Sequence, residues 1–206
     1  MLKFYGRKTS INVQKAAWAM GEANLSWKWI DKDGTVGSIN NPAYRKLNPT
    51  AQIPTLDDNG LLVRQSNTIV RYIAKKYSQD HLWPNDELTY IEAERWMDWQ
   101  ATDNWKNMVT AFWGLIRTPP NKRDKKAISK SVDALNSDFE VLNGHLADRH
   151  YIAGENFTMG DIPTGAAAYR FYALPITRND FPHLEVWYSR LQERQPYREL
   201  VQIPLA

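Results

Sequence analysis

Two short stretches of this chain could hold an extended, charged ligand. Gln65-Ser66-Asn67 stands just before Ile69, Val70 and Ile73, whose spacing is that of a helix start. A helix N-terminus presents unpaired N–H groups and partial positive charge, so it holds an anion such as a peptide carboxylate. Ser66 can add its hydroxyl. Upstream lies Ile53-Pro54, where proline pushes the preceding residue into extended backbone. An exposed backbone edge at Ile53 can pair with an extended peptide as an added strand would. The chain has no cysteine, which excludes disulfides, thiolate metal sites and any thiol chemistry by the protein itself. Its four histidines, His81, His145, His150 and His183, show no metal-ligand spacing, so no metal is expected.

Elements that could position these groups are readable on both sides of them. Pro54-Thr55-Leu56 and Leu61-Leu62-Val63 flank Asp57-Asp58-Asn59-Gly60, a strong hairpin signal, and a helix then runs to about Tyr77. Leu2 to Tyr5 reads as a strand and Gly6 to Ser10 as a polar loop. Val13, Ala16, Ala17 and Met20 share one helix face, broken from Gly21 to Asn24. Leu25, Trp27 and Trp29 alternate with polar residues as in a strand. Asn41-Pro42 reads as a cap with proline at the first helical position, opening a short helix to about Leu47. The order βαβαββα is that of a thioredoxin-like domain, with a right-handed crossover between its first two, parallel strands.

Beyond a polar segment at 79–87 the strand signal ends. Glu87 to Ile116 reads as one long helix. Ile128, Val132, Leu135, Phe139, Leu142 and Leu146 form one buried helical stripe, in which Gly144 is discordant. Thr158 and Asp161 have the spacing of a reciprocal cap for another helix, with Phe157 and Ile162 placed as a hydrophobic staple. Pro163 should cost that helix a hydrogen bond. A last helix carries Leu184, Trp187 and Leu191 and should end near Gln195-Pro196. The expected organisation is therefore an α/β domain at 1–78, a linker at 79–87 and an all-helical domain at 88–206.

With 206 residues and 43% apolar content, the chain can bury a sizeable core. A formal charge of +3 is mild, and the basic cluster at 121–126 looks like a solvated loop. No basic stripe points to nucleic acid, and no apolar run approaches membrane-spanning length. The start, MLKFYGRKTS, lacks the apolar core of a secretion signal.

The segments NPTAQIPTL (48–56) and QSNTIVRYIA (65–74), at this separation, resemble the glutathione-binding half of cytosolic glutathione transferases. The thioredoxin-like and helical halves extend the likeness over nearly the whole chain. The resemblance implies a cytoplasmic detoxification enzyme, usually a homodimer, that joins the thiolate of its co-substrate glutathione to a small hydrophobic electrophile. It implies that Pro54 follows a cis peptide bond and that Gln52, Ile53, Pro54, Gln65 and Ser66 bind glutathione. The family's acidic residue is replaced here by Gln65, which offers the ligand's ammonium only a neutral hydrogen bond, roughly half as strong. Asp103 of the partner subunit could compensate.

The family's thiol-activating group lies at the first strand-to-helix junction. Ser10 is the leading candidate, with Asn12 and Thr9 as rivals; Tyr5 comes too early. Arg7, Lys8 and Lys15 add positive potential there, or serve solubility. Trp105, Met108, Phe112, Trp113 and Arg117 are candidates for the electrophile pocket. Two other readings stay open: glutathione-dependent peroxide or disulfide reduction, and a non-catalytic binding protein on the same fold.

Overall fold

The computed structural model describes residues 1–30 and 40–206. Its sheet has the order β2-β1-β3-β4. Strand β1 (Leu2–Tyr5) runs parallel to β2 (Trp27–Ile30) and antiparallel to β3 (Thr55–Asp58), which pairs in turn with β4 (Leu61–Arg64). The β3–β4 turn has φ of 53° at Asn59 and 100° at Gly60, the two positive values that a type I′ hairpin turn requires. Asp57 closes it by accepting from the Gly60 N–H at 2.7 Å.

Helix α1 (Ile11–Glu22) joins β1 to β2; α2 (Pro42–Leu47) and α3 (Ser66–Tyr77) complete the expected βαβαββα order. Asn41 caps α2 as its position predicts, its side-chain oxygen accepting from the Ala43 N–H at 2.8 Å. The break expected at Gly21 is not there, since α1 continues to Glu22. Gly21 instead permits close packing. A Cβ on it would lie 2.9 Å from side-chain atoms of Pro196 and Leu200.

The second half is helical. Helix α4 (Glu87–Trp99) is capped by Asp86, which accepts from the Thr89 N–H at 2.9 Å. The single helix expected from Glu87 to Ile116 is one helical path of mixed pitch. Wide π turns at Gln100–Asn104 and Trp113–Arg117 bracket α5 (Trp105–Phe112). In α6 (Lys125–His145) the stripe is buried at Leu135, Phe139 and Leu142 and half-buried at Ile128 and Val132. Gly144 falls in its last turn, where a glycine disturbs little.

Helix α7 (Asp161–Ala173) has Gly160 at its N-cap, and the expected Thr158–Asp161 pair forms one half of its reciprocal cap, the Thr158 hydroxyl oxygen accepting instead from the Gly160 N–H at 3.2 Å. Buried Asp161 accepts from the N–H groups of Thr158 and Ile152 and from the Trp187 indole, each at 2.9 Å. Pro163 lies in the first turn, whose N–H groups have no intrahelical partner, so the expected loss of a hydrogen bond does not occur. Gln195-Pro196 does not end the chain's helices. It follows α8 (Pro182–Gln192) and opens α9 (Gln195–Leu200), with proline in the tolerated first turn.

One apolar core runs through both halves, with α1 at its centre against α3, α7 and α9. Trp18, fully buried, donates to Glu22 at 2.8 Å, and Arg194 grips the same carboxylate at 2.6 and 2.8 Å. Between α3 and α4, Leu82 is buried and its carbonyl accepts from the Met159 N–H at 2.9 Å. Arg71 of α3 forks onto Glu94 of α4 at 2.6 to 2.9 Å. These ties fix the α3 N-terminus relative to α5 and its π turns.

Candidate active site

A cavity of about 590 Å³ lies between the α1 mouth, the loop before β3, the α3 mouth and the α5 wall. Local hydrogen bonding sets the loop. Asn48 accepts from Thr50 through its side-chain oxygen and donates 2.8 Å to the Gln52 carbonyl, onto which the Tyr44 hydroxyl also donates at 2.6 Å. The loop so held brings Gln52 and Ile53 to the cavity wall. Pro54, joined to Ile53 by a cis peptide bond, is buried behind them.

Gln65 and Ser66 line the same cavity at the α3 mouth. Gln65 occupies the N-cap with φ of 66° and ψ of 126°. A non-glycine residue there carries strain of roughly 1–3 kcal/mol, the kind retained where backbone geometry serves a site. No sequence pattern announces it.

Ser10 is the N-cap of α1, yet its side chain makes no capping hydrogen bond, and it lines the cavity. Asn12 lines it too, and its side-chain oxygen accepts from the Ser66 hydroxyl at 3.2 Å, linking the two helix mouths. Thr9 is not among the lining residues; its carbonyl accepts from Arg170 at 2.9 Å.

On the α5 wall, Trp105, Val109 and Phe112 line the cavity at helical spacing, continued by Trp113 and Arg117 in the following π turn. Met108 does not belong with them. It is fully buried in the core, on the side of α5 packed against neighbouring helices. Asp103 is also outside the cavity; it is mostly exposed, 3.8 Å from Lys106.

Sequence reasoning missed how the cations are placed. Lys15 is no surface lysine. It is 2% exposed and donates to the Gln100 side chain, which the first π turn carries. Burial, and then the neighbouring Arg170, lower its pKa to about 7. Arg170 is 3% exposed, and burial followed by repulsion from Arg117 and Arg7 brings its pKa to about 9. All four cations line the cavity, and no carboxylate does so among the described residues. Arg170 had one available signal: it stands alone in the apolar run AAAYRFYAL, where a charge must be buried.

A cavity offering two helix mouths, a strained cap, a free hydroxyl and an aromatic wall can bind a peptide anion and present an apolar reactant to it. Residues 4–81 match the glutathione S-transferase N-terminal domain and residues 104–195 the C-terminal domain. Over 210 aligned residues the chain is 33% identical to glutathione S-transferase GstB of Escherichia coli K12, covering all of both chains. It is 28% identical to glutathione S-transferase 3 of Zea mays, over 99% of this chain and 95% of that one. A theta class glutathione S-transferase of Xanthomonas axonopodis pv. citri, solved with glutathione bound, superposes with a TM-score of 0.95. It is 36% identical, over all of this chain and 99% of that one. The chain belongs to the glutathione S-transferase family, with a thioredoxin-like N-terminal domain and a helical C-terminal domain.

Proposed function

We propose that the protein is a glutathione transferase that adds the glutathione thiolate to a small electrophile, with Ser10 as the group that stabilises the thiolate. What carries this reading is that the Ser10 hydroxyl sits at the α1 mouth, unused as a cap, on the cavity that Ile53, Gln65 and Ser66 also line. In this assignment the Gln52–Ile53 backbone and the Gln65-Ser66 cap hold the tripeptide, its γ-glutamyl carboxylate on the α3 mouth. The thiol comes to the α1 mouth, where Ser10 donates to the sulfur and the helix end adds positive potential. The proton leaves to solvent. The thiolate then forms its bond to the electrophile, and the leaving group departs with the bonding electron pair. Trp105, Phe112 and Trp113 form the apolar side of the electrophile's seat.

Difference absorbance of bound glutathione against pH tests the reading, in the wild type and in Ser10→Ala. A thiolate band that appears well below the free thiol's pKa, and moves up in the variant, is expected. A band that moves only in Asn12→Ala transfers the role to Asn12, and absence of glutathione binding overturns the transferase reading. Conjugation is favoured over disulfide reduction because the chain has no cysteine with which to form a mixed disulfide.

The proposal includes a cytoplasmic homodimer. No helix among the described residues is long and apolar enough to cross a membrane. In this proposal Asp103, mostly exposed and outside its own cavity, serves the cavity of the partner subunit. Sedimentation tests the assembly.

A further inference from the structure

The cavity carries more positive charge than a neutral electrophile needs. Arg7, Lys15, Arg117 and Arg170 come from the β1–α1 loop, α1, the π turn after α5, and α7, and all line it. Burying like charges together is costly unless an opposite charge accompanies them. None of the four forms a salt bridge with a described Asp or Glu side chain. Arg170 uses one guanidinium nitrogen on the Thr9 carbonyl, while its buried Nε has no hydrogen-bond partner. Arg117 donates one N–H at 2.8 Å to the oxygen of Ala206, the last residue of the sequence, and its other N–H groups have no described hydrogen-bond partner. Repulsion from the neighbouring arginines adds to burial in lowering the pKa of Lys15, Arg117 and Arg170. Both arginines remain charged at neutral pH.

Both arginines stand against the aromatic wall. The Arg170 guanidinium lies 4.2 Å from the centre of the Phe112 ring and the Arg117 guanidinium 4.7 Å from that of Trp113. The cations are thus embedded in the aromatic wall, where they form a seat that is apolar around a charged centre. We infer that the electrophile taken by this cavity bears a carboxylate or similar anionic group, gripped by Arg117 and Arg170 while its reactive carbon faces the thiolate. This rests on the transferase reading and narrows its substrate class to anionic electrophiles.

The test compares a chlorodinitrobenzoate with the methyl ester of the same acid. In both, the sulfur–carbon bond forms on the chlorine-bearing ring carbon, and chloride leaves with the electron pair. Each enzymatic rate is divided by its uncatalysed rate with glutathione at the same pH, which removes the difference in intrinsic reactivity. A charge-assisted contact of this kind corresponds to a preference for the acid of about tenfold to a hundredfold in kcat/KM. Arg117→Gln should cut that preference about tenfold, mainly through KM for the acid, and Arg117→Lys should keep most of it. Arg170→Gln should act in the same direction; if it fails to fold, by circular dichroism, Arg117 decides alone.

Equal normalised rates for acid and ester, with glutathione binding intact, would overturn this inference and leave the transferase reading standing. A preference that survives in every folded arginine variant would overturn it as well. So would weaker glutathione binding in Arg117→Gln at unchanged preference, because the cations would then serve the tripeptide's own carboxylate. No binding of glutathione and no conjugation of either compound would instead remove the transferase reading beneath it.

Discussion

Replacing Ser10 with alanine removes one hydroxyl and leaves the α1 mouth in place, so the two sources of thiolate stabilisation can be separated. A hydrogen bond to a charged acceptor is worth about 1.5–3 kcal/mol, and a helix end about 0.3–1. If together they bring a thiol from about 8.5 to about 6.5, the helix end alone would leave it near 8. The thiolate fraction at pH 7 then falls from about 75 per cent to about 9, roughly eightfold. The more basic thiolate is also the better nucleophile, by about fivefold over that interval. The net loss at pH 7 is therefore only about twofold, and above about pH 7.4 the variant should overtake the wild type.

The assay is kcat/KM for conjugation against pH, under conditions where chemistry limits the rate, beside the thiolate absorbance. The variant's rising limb should move from about pH 6.5 to about 8, with the two profiles crossing at about pH 7.4. A uniform loss at all pH values, with the limb unmoved, would refute the reasoning, because Ser10 would then orient the sulfur without stabilising its charge. An unaltered profile would pass the role to Asn12, whose side-chain oxygen is already engaged by Ser66 and whose amide group can donate.

Gln65→Glu should tighten glutathione binding about fivefold by calorimetry, since a charge-assisted bond replaces a neutral one; unchanged affinity would mean that the side chain does not meet the ammonium. Glu22 is buried, which disfavours its charge, but hydrogen bonds from His81, Arg194 and Trp18 outweigh burial and lower its pKa from 4.5 to about 2. With the folded pKa below the unfolded one, Glu22 stabilises the protein by about 3 kcal/mol above pH 4.5 and loses this as pH falls towards 2. Glu22→Gln should flatten that acid limb in urea unfolding. Asp161→Ala strands three donors in the core and should cost about 3–5 kcal/mol, lowering Tm by about 10 °C.

What the sequence discloses here follows the range of the interaction involved. Asn59-Gly60, Asn41-Pro42 and the Thr158-Asp161 pair act within a turn, so their residue types alone specify the hairpin, the α2 start and the α7 cap. Pro163 and Pro196 were misplaced by only a few residues, because a proline looks disruptive until the first helical turn is located. Gln52, Ile53, Gln65 and Ser66 were legible because a contiguous stretch carries them. The charged seat was not. Lys15 and Arg170 lie 155 positions apart and are joined only by folding.

A local contribution to that seat comes from the second π turn. A pure α-helix from Glu87 to Ile116 would present side chains at a constant 3.6-residue period, and Gln100 and Arg117 would follow from the stripe that contains Trp105. A π turn spreads one turn over more residues, so each advances by less than in an α-helix; Ala101, Trp105, Val109, Phe112 and Trp113 keep regular helical spacing along the cavity, and the second π turn brings Arg117 onto the same wall. Neither QATDN nor WGLIR carries a composition that distinguishes it from ordinary helix. The same irregularity that hid the site from periodicity thus lets one wall be both aromatic and cationic, which neither a regular amphipathic stripe nor a regular charged one would supply.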